Sequence, residues 1–224
     1  MNIPLKKKKI SKTQPKSESD RAETGYHHGN LREAVLLRSR RVLEEKGSFA
    51  LSLRDIAVDL GVSHTAPYRH FPKKIDLLYA LVTEGFLELK QGMERAWAKS
   101  EDPLEKLRAA GEEYIYLLLG HPRRTELMFG GEVFLSGSLP KELIEAGEEA
   151  YLGMYRIVEL GQTSLKLKKA IPTRTLMMAH WSCVHGFAVL NERRWKLLKT
   201  EEDRSLFQKE IDGILDIMIE GTRL

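Results

Sequence analysis

From Ser63 to Ile75 the chain presents Ser63, His64, Thr65, Tyr68, Arg69 and His70 without one carboxylate among them. Hydroxyl, aromatic and cationic groups at this density suit a polyanion. An arginine can pair bidentately with a guanine edge, and a threonine can touch a base or a phosphate. Pro67 adds a flat apolar surface able to meet a thymine methyl. An ordinary solvated helical face could have the same composition, so the meaning of the stretch depends on what frames it.

The frame is legible. Leu53, Ile56, Ala57 and Leu60 recur at helical spacing, which predicts a short amphipathic helix with one buried stripe. Gly61 can take the left-handed conformation that ends it, and Val62 can fold back over the turn. Ser63 is placed to cap a second helix, expected over His64 to Phe71, with Pro72 closing it and Pro67 straining its first turns. Two short helices joined by a glycine-containing turn make a helix-turn-helix.

From His28 onward the chain reads GNLREAVLLRSRRVLEEKG and then ALSLRDIAVDLGVSHTAPYRHFPKKIDLLYALV. This pattern resembles the N-terminal DNA-binding domain of the tetracycline repressor (TetR) family of bacterial transcriptional regulators. It covers about the first third of the chain, in element order and motif spacing. The resemblance implies that Ser63, His64, Thr65 and Pro67 lie at or near the major groove. It also implies that Ser52, Tyr68, His70 and Lys74 lie on phosphates, with Arg69 near the backbone or a base. One departure is Arg38, Ser39 and Arg40, where the family's first helix usually carries small or apolar residues. Either that helix is rotated locally or its arginines reach outward along their stems.

Charge supports the same reading. Residues 1 to 78 hold 16 Lys and Arg against 9 Asp and Glu, while residues 79 to 224 hold 20 against 23. The net +4 of the chain is therefore +7 in its first part and −3 in the rest. A cationic first part should give steeply salt-dependent binding to a duplex. With 42% hydrophobic and 30% charged residues, the composition is that of a soluble globular protein, and no apolar run is long enough to span a bilayer. No secretory signal is expected. The single cysteine, Cys183, reads as a small buried hydrophobe compatible with a reducing cytoplasm.

In chain order, residues 1–26 read as a disordered basic tail with four consecutive lysines, Lys6 to Lys9. Such a tail could follow the DNA backbone or simply solubilise the chain. His27 and His28 do not have metal-ligand spacing. Residues 27–77 are expected to form the helix-turn-helix domain, with a first helix from Asn30 to Lys46 and Ser52 capping the second. Residues 78–224 are expected to form a helical domain that binds a ligand and dimerises. The fold class is all-α, with about nine helices. A long helix, Lys73 to about Lys99, carries Ile75, Leu78, Val82, Phe86, Leu89, Met93 and Trp97 as one stripe and links the two domains.

The helix from Thr173 to about Lys196 is apolar nearly all round, and Glu201 to Gly221 carries one apolar face. Two such helices expose more apolar surface than one small subunit covers, so pairing with a second copy is expected to give a four-helix interface about a two-fold axis. Trp181, His185 and Gly186 also resemble the Trp-His-Gly signature of a C-terminal subgroup of the family. Family resemblance implies a small-molecule effector. Met128, Phe129, Tyr151, Tyr155, Met177, Trp181 and His185 are candidates to line its cavity, although for each taken separately plain core packing is the better reading. His180 and His185 lie five apart and do not share a helical face for one metal ion. With no catalytic constellation, phosphate loop or cysteine pair, no enzyme activity, cofactor or metal is expected. The expected function is a cytoplasmic, homodimeric, sequence-specific repressor released from a palindromic operator by a small molecule. An architectural DNA-binding protein on the same fold is the competing reading.

Overall fold

The computed structural model describes residues 30–135 and 137–224. The basic tail, His27, His28 and Ser136 lie outside the described residues. The fold is all-α with an N-terminal helix-turn-helix, and among the described residues there is no strand.

Helix α1 (Leu31–Lys46) buries Val35, Leu36, Val42 and Leu43. The departure at residues 38–40 resolves into outward ion pairs rather than a rotated helix. Ser39 faces inward, with its hydroxyl donating to the Val35 carbonyl at 2.6 Å. Arg38 Nε donates to Asp59 at 2.7 Å, and Arg40 forks onto both carboxylate oxygens of Glu84 at 2.8 and 2.9 Å. The arginines therefore hold α1 to its neighbours through their tips.

Helix α2 (Leu53–Asp59) starts at Ser52, whose hydroxyl oxygen accepts the Asp55 amide at 3.3 Å. It ends as expected. Gly61 sits at φ 66°, its amide bonds the Val58 carbonyl, and the Val62 amide bonds the Ala57 carbonyl, both at 3.0 Å. This paired closure needs a left-handed residue at position 61, which glycine adopts at no steric cost.

Helix α3 (Lys74–Lys99) opens with the Lys73 amide donating to the Asp76 carboxylate at 2.8 Å. Leu78, Val82, Leu89 and Met93 of the expected stripe are buried. Trp97 is not: it is 43% exposed, its ring covered on one side by the Lys106 ammonium at 4.8 Å. Near the end of a helix the stripe runs past the core, so an amphipathic side chain finishes at the edge.

Helix α4 (Pro103–Gly120) is capped by Asp102, which accepts the Leu104 amide at 3.1 Å. Two short helices follow, α5 (Pro122–Phe129) and α6 (Gly131–Phe134). Helices α7 (Lys141–Thr163), α8 (Thr173–Trp195) and α9 (Glu201–Thr222) complete the chain. Thr200 and Asp203 exchange side-chain and backbone bonds at 3.0 and 3.1 Å, a reciprocal capping box that starts α9.

The core is built on α3, α4, α7 and α8, with α9 closing one side through Phe207, Ile211 and Leu215. At the crossing of α3 and α7 the backbones come close. A Cβ added at Gly153 would lie 2.8 Å from the Met93 Cβ, so the crossing requires glycine there.

Candidate nucleic-acid interface and internal cleft

The expected recognition helix departs from regular α geometry. His64 to Ala66 form a turn, and Pro67–Arg69 is a single 3-10 turn. The cause is Pro67. An α-helix beginning at His64 would send the amide of residue 67 to the Ser63 carbonyl, and proline has no such amide. The Ala66 amide takes that carbonyl instead at 3.0 Å, followed by Arg69 to Ala66 at 3.3 Å and His70 to Pro67 at 3.0 Å. Tight three-residue bonding therefore replaces the four-residue ladder up to His70, and one four-residue bond, from the Phe71 amide to the Pro67 carbonyl at 3.0 Å, closes the turn.

The turn is anchored from beneath by two buried residues, Pro67 and Phe71. Pro67 therefore offers no face to a groove: its apolar ring packs inward, and the expected thymine contact from that ring does not fit the structure. Ser63, His64, Thr65, Tyr68, Arg69 and His70 are all exposed. Ser63 and Thr65 hydroxyls lie 3.3 Å apart, so one can orient the other. Ser52 is half-buried. Its lone pair caps α2, and its O–H remains free to donate. Lys74 is half-buried, its ammonium donating to the Phe49 carbonyl at 3.3 Å.

The second constellation lies among α3, α4, α7 and α8. A cleft there is walled by Phe86, Leu89, Met93, Tyr114, Gly147, Ala150, Tyr151, Met154, Met177 and Trp181. Of the seven candidates read from the sequence, Tyr151, Met177 and Trp181 line it. Phe129 and His185 belong to the aromatic cluster behind it: Phe129 meets Phe86 and Trp181 at 5.8 Å between ring centroids and His185 at 5.2 Å. Those two face a different surface depression, beside Glu126 and Glu192. Met128 is a packing residue, buried against Gly85 of α3. Tyr155 is outside the lining and stacks on Tyr151 at 6.3 Å.

Tyr114 had no local signal in the sequence, yet it centres the site. The Trp181 indole N–H donates to its hydroxyl oxygen at 2.6 Å, and the same hydroxyl lies 2.9 Å from His185 Nδ1. Indole can only donate, so the arrangement that uses every group has Tyr114 donating to Nδ1, with the imidazole proton on Nε2. Burial pushes the Tyr114 phenol up and the His185 imidazolium down, so both groups are held neutral.

Comparison with known proteins bears first on the helix-turn-helix. Residues 35–81 match the model of the bacterial regulatory proteins, tetR family. The matched residues run from within α1 through α2 and the 3-10 turn to the start of α3. The matched segment thus holds every exposed candidate contact. Over a longer span, the chain is 25% identical across 158 residues to the nucleoid occlusion factor SlmA of Vibrio vulnificus, 69% of this chain and 79% of that protein. A structure of a protein of unknown function from Rhodococcus sp. RHA1 superposes with a TM-score of 0.75 at 28% identity, covering 90% of this chain and all of that one (100%). The transcriptional regulator FadR of Bacillus subtilis, solved with stearoyl-CoA, shares the fold at a TM-score of 0.63 and 18% identity, over 85% of this chain and 98% of that one.

Proposed function

We propose that this chain is a homodimeric, sequence-specific transcriptional repressor that leaves a palindromic operator when a small molecule fills the cleft. The observation that carries the reading is the carboxylate-free rim of Ser63, His64, Thr65, Tyr68, Arg69 and His70, pinned from below by buried Pro67 and Phe71. Rigid presentation of donors and a cation, with nothing acidic to repel a phosphate, is what duplex reading requires. Residues 27–77 act as the DNA-binding domain and residues 78–224 as the ligand-binding and dimerisation domain. The site of action is the cytoplasm.

Dimerisation through α8 and α9 rests on their outer faces. Met178, Val189 and Leu190 on α8 and Leu206 and Ile217 on α9 are exposed apolar residues. A Cβ added at Gly186 or Gly213 would meet nothing within 4 Å, so packing inside the subunit does not explain either glycine. Bare positions on an apolar face let another backbone approach closely. The Trp-His-Gly signature then has a physical sense: Trp181 and His185 hold Tyr114, and Gly186 opens the outer face.

The effector reading rests on the cleft and is supported by the likeness of fold to a regulator solved with stearoyl-CoA. The test of the whole reading is selection of DNA from a random pool by the purified chain. Recovery of a short palindrome, with half-sites about one helical turn apart, agrees with two recognition turns in successive major grooves. No enriched sequence would overturn it and favour an architectural role. That second reading draws on the likeness to a nucleoid occlusion factor.

A further inference from the structure

The cleft restricts what can occupy it. Resting on the reading of this cleft as the effector site, we propose that its ligand is an uncharged, predominantly apolar small molecule with at most one or two hydrogen-bonding groups. None of the lining residues is ionisable apart from tyrosine. The polar atoms at its wall are already spent on one another, because Trp181 N–H, Tyr114 O–H and His185 Nδ1 form a closed chain. What remains open is one lone pair on Tyr114 and the Tyr151 hydroxyl, which has no hydrogen-bond partner among the described residues.

A carboxylate, phosphate or ammonium group in such a place would lose its hydration without gaining a counter-charge, which is prohibitive compared with burying a hydroxyl or a carbonyl. No lysine or arginine lines the cleft. Lys90 and Arg156 line a separate surface depression together with Trp97, and Lys90 is already paired to Glu149 at 2.9 Å. Met93, whose Cβ stands against Gly153, borders both depressions. A charged head therefore has no acceptor in the cleft. Met93, Met154 and Met177 supply soft, adaptable walls, so shape is less restricted than charge.

The test is direct binding to the full chain, with no DNA present. N-phenyl-1-naphthylamine is used as the neutral fluorescent probe, and 1-decanol, decanoate and decanoyl-CoA compete for its site. The expected result is displacement by decanol at concentrations at least about tenfold below those needed for decanoate or decanoyl-CoA. Equal competition by either anion would overturn the proposal. A second arm fills the space. A Cβ at Gly147 would have only the Phe86 ring near it, at 4.0 Å, so Gly147→Leu starts its side chain from an open position on the cleft wall. The change also favours the helix. Gly147→Leu should abolish probe binding with an undiminished melting temperature, and unchanged probe binding places the ligand elsewhere. A chain that selects a palindrome but fails these tests overturns this inference alone. One that passes them and selects no DNA overturns only the regulator reading.

Discussion

The carboxylate of Glu44, in the last turn of α1, caps the start of α5 by accepting the Arg124 backbone amide at 3.0 Å. Its other oxygen takes the Arg123 amide at 3.2 Å. A side chain from α1 thus satisfies the first free amides of a helix 80 residues away in sequence. The same Arg124 reaches Glu88 of α3 through its guanidinium. Because α5 also carries Phe129, whose ring abuts Phe86 and Trp181 of the cleft, α1 and the cleft share one short helix.

Replacing Glu44 with alanine should cost about 1 to 2 kcal/mol of stability, the usual effect of removing a helix cap. Urea titration followed by circular dichroism measures it. The variant should also respond less to ligand in an operator mobility shift, since α1 no longer grips α5. A normal ligand response would assign Glu44 to stability alone.

Tyr114→Phe removes one oxygen and leaves the Trp181 N–H and His185 Nδ1 without their shared partner. The expected loss is about 1 to 3 kcal/mol, more than the net worth of a single bond, because two half-buried groups become unsatisfied. Trp181 fluorescence should shift in the same variant. An unaltered spectrum and melting temperature would mean the three groups do not depend on one another.

His180 is fully buried, with Nε2 at 3.0 Å from the Thr222 hydroxyl and Nδ1 facing no partner. Burial lowers its pKa from 6.5 to about 4. Between those values the unfolded chain binds a proton that the folded chain refuses. Stability contributed by neutral His180 is therefore complete above about pH 6.5 and falls as the pH drops toward 4, by up to about 3 kcal/mol. The urea midpoint should decrease from about pH 7.5 to about pH 5, and His180→Gln should flatten that dependence. An equally steep decline in the variant would point to other groups.

On the DNA side, Arg69→Ala should reduce the slope of log affinity against log salt by about 0.9 if the guanidinium neutralises one phosphate. Tyr68→Ala should weaken binding to all sequences about equally, whereas Thr65→Ala should change which sequence is preferred. Parallel titrations of selected and scrambled duplexes distinguish the two patterns. Tyr68→Ala binding at full strength would remove that residue from the interface.

What could be read beforehand followed from local chemistry. Ser52 and Gly61 mark helix ends by interactions with residues three positions away, and each does so here. The helical periodicities of α3 and α9 likewise survive, because a buried stripe is a local pattern. Pro67 was read for the surface it carries, whereas the missing amide and the buried ring decide its part. The cleft was legible only in fragments. Trp181 was found because its type is unusual, but Tyr114 meets it from a helix 67 residues away, and no spacing rule joins them. Phe86, Leu89 and Met93 were read as core stripe, and their other face is the cleft wall. Arg38 and Arg40 show the converse: residues that looked misplaced in α1 find partners at Asp59 and Glu84 that only the fold brings near.

The tight seat of Met93 on Gly153 gives α3 a fulcrum. From there to Phe86 is seven residues, roughly 10 Å, while Lys74, at the end beside the 3-10 turn, is 19 residues off, roughly 28 Å at 1.5 Å per residue. A molecule wedged against Phe86 would work the short arm of this beam, and the far tip would swing through nearly three times the displacement. A nudge of about half a bond length at Phe86 would thus shift Lys74 by more than a whole one.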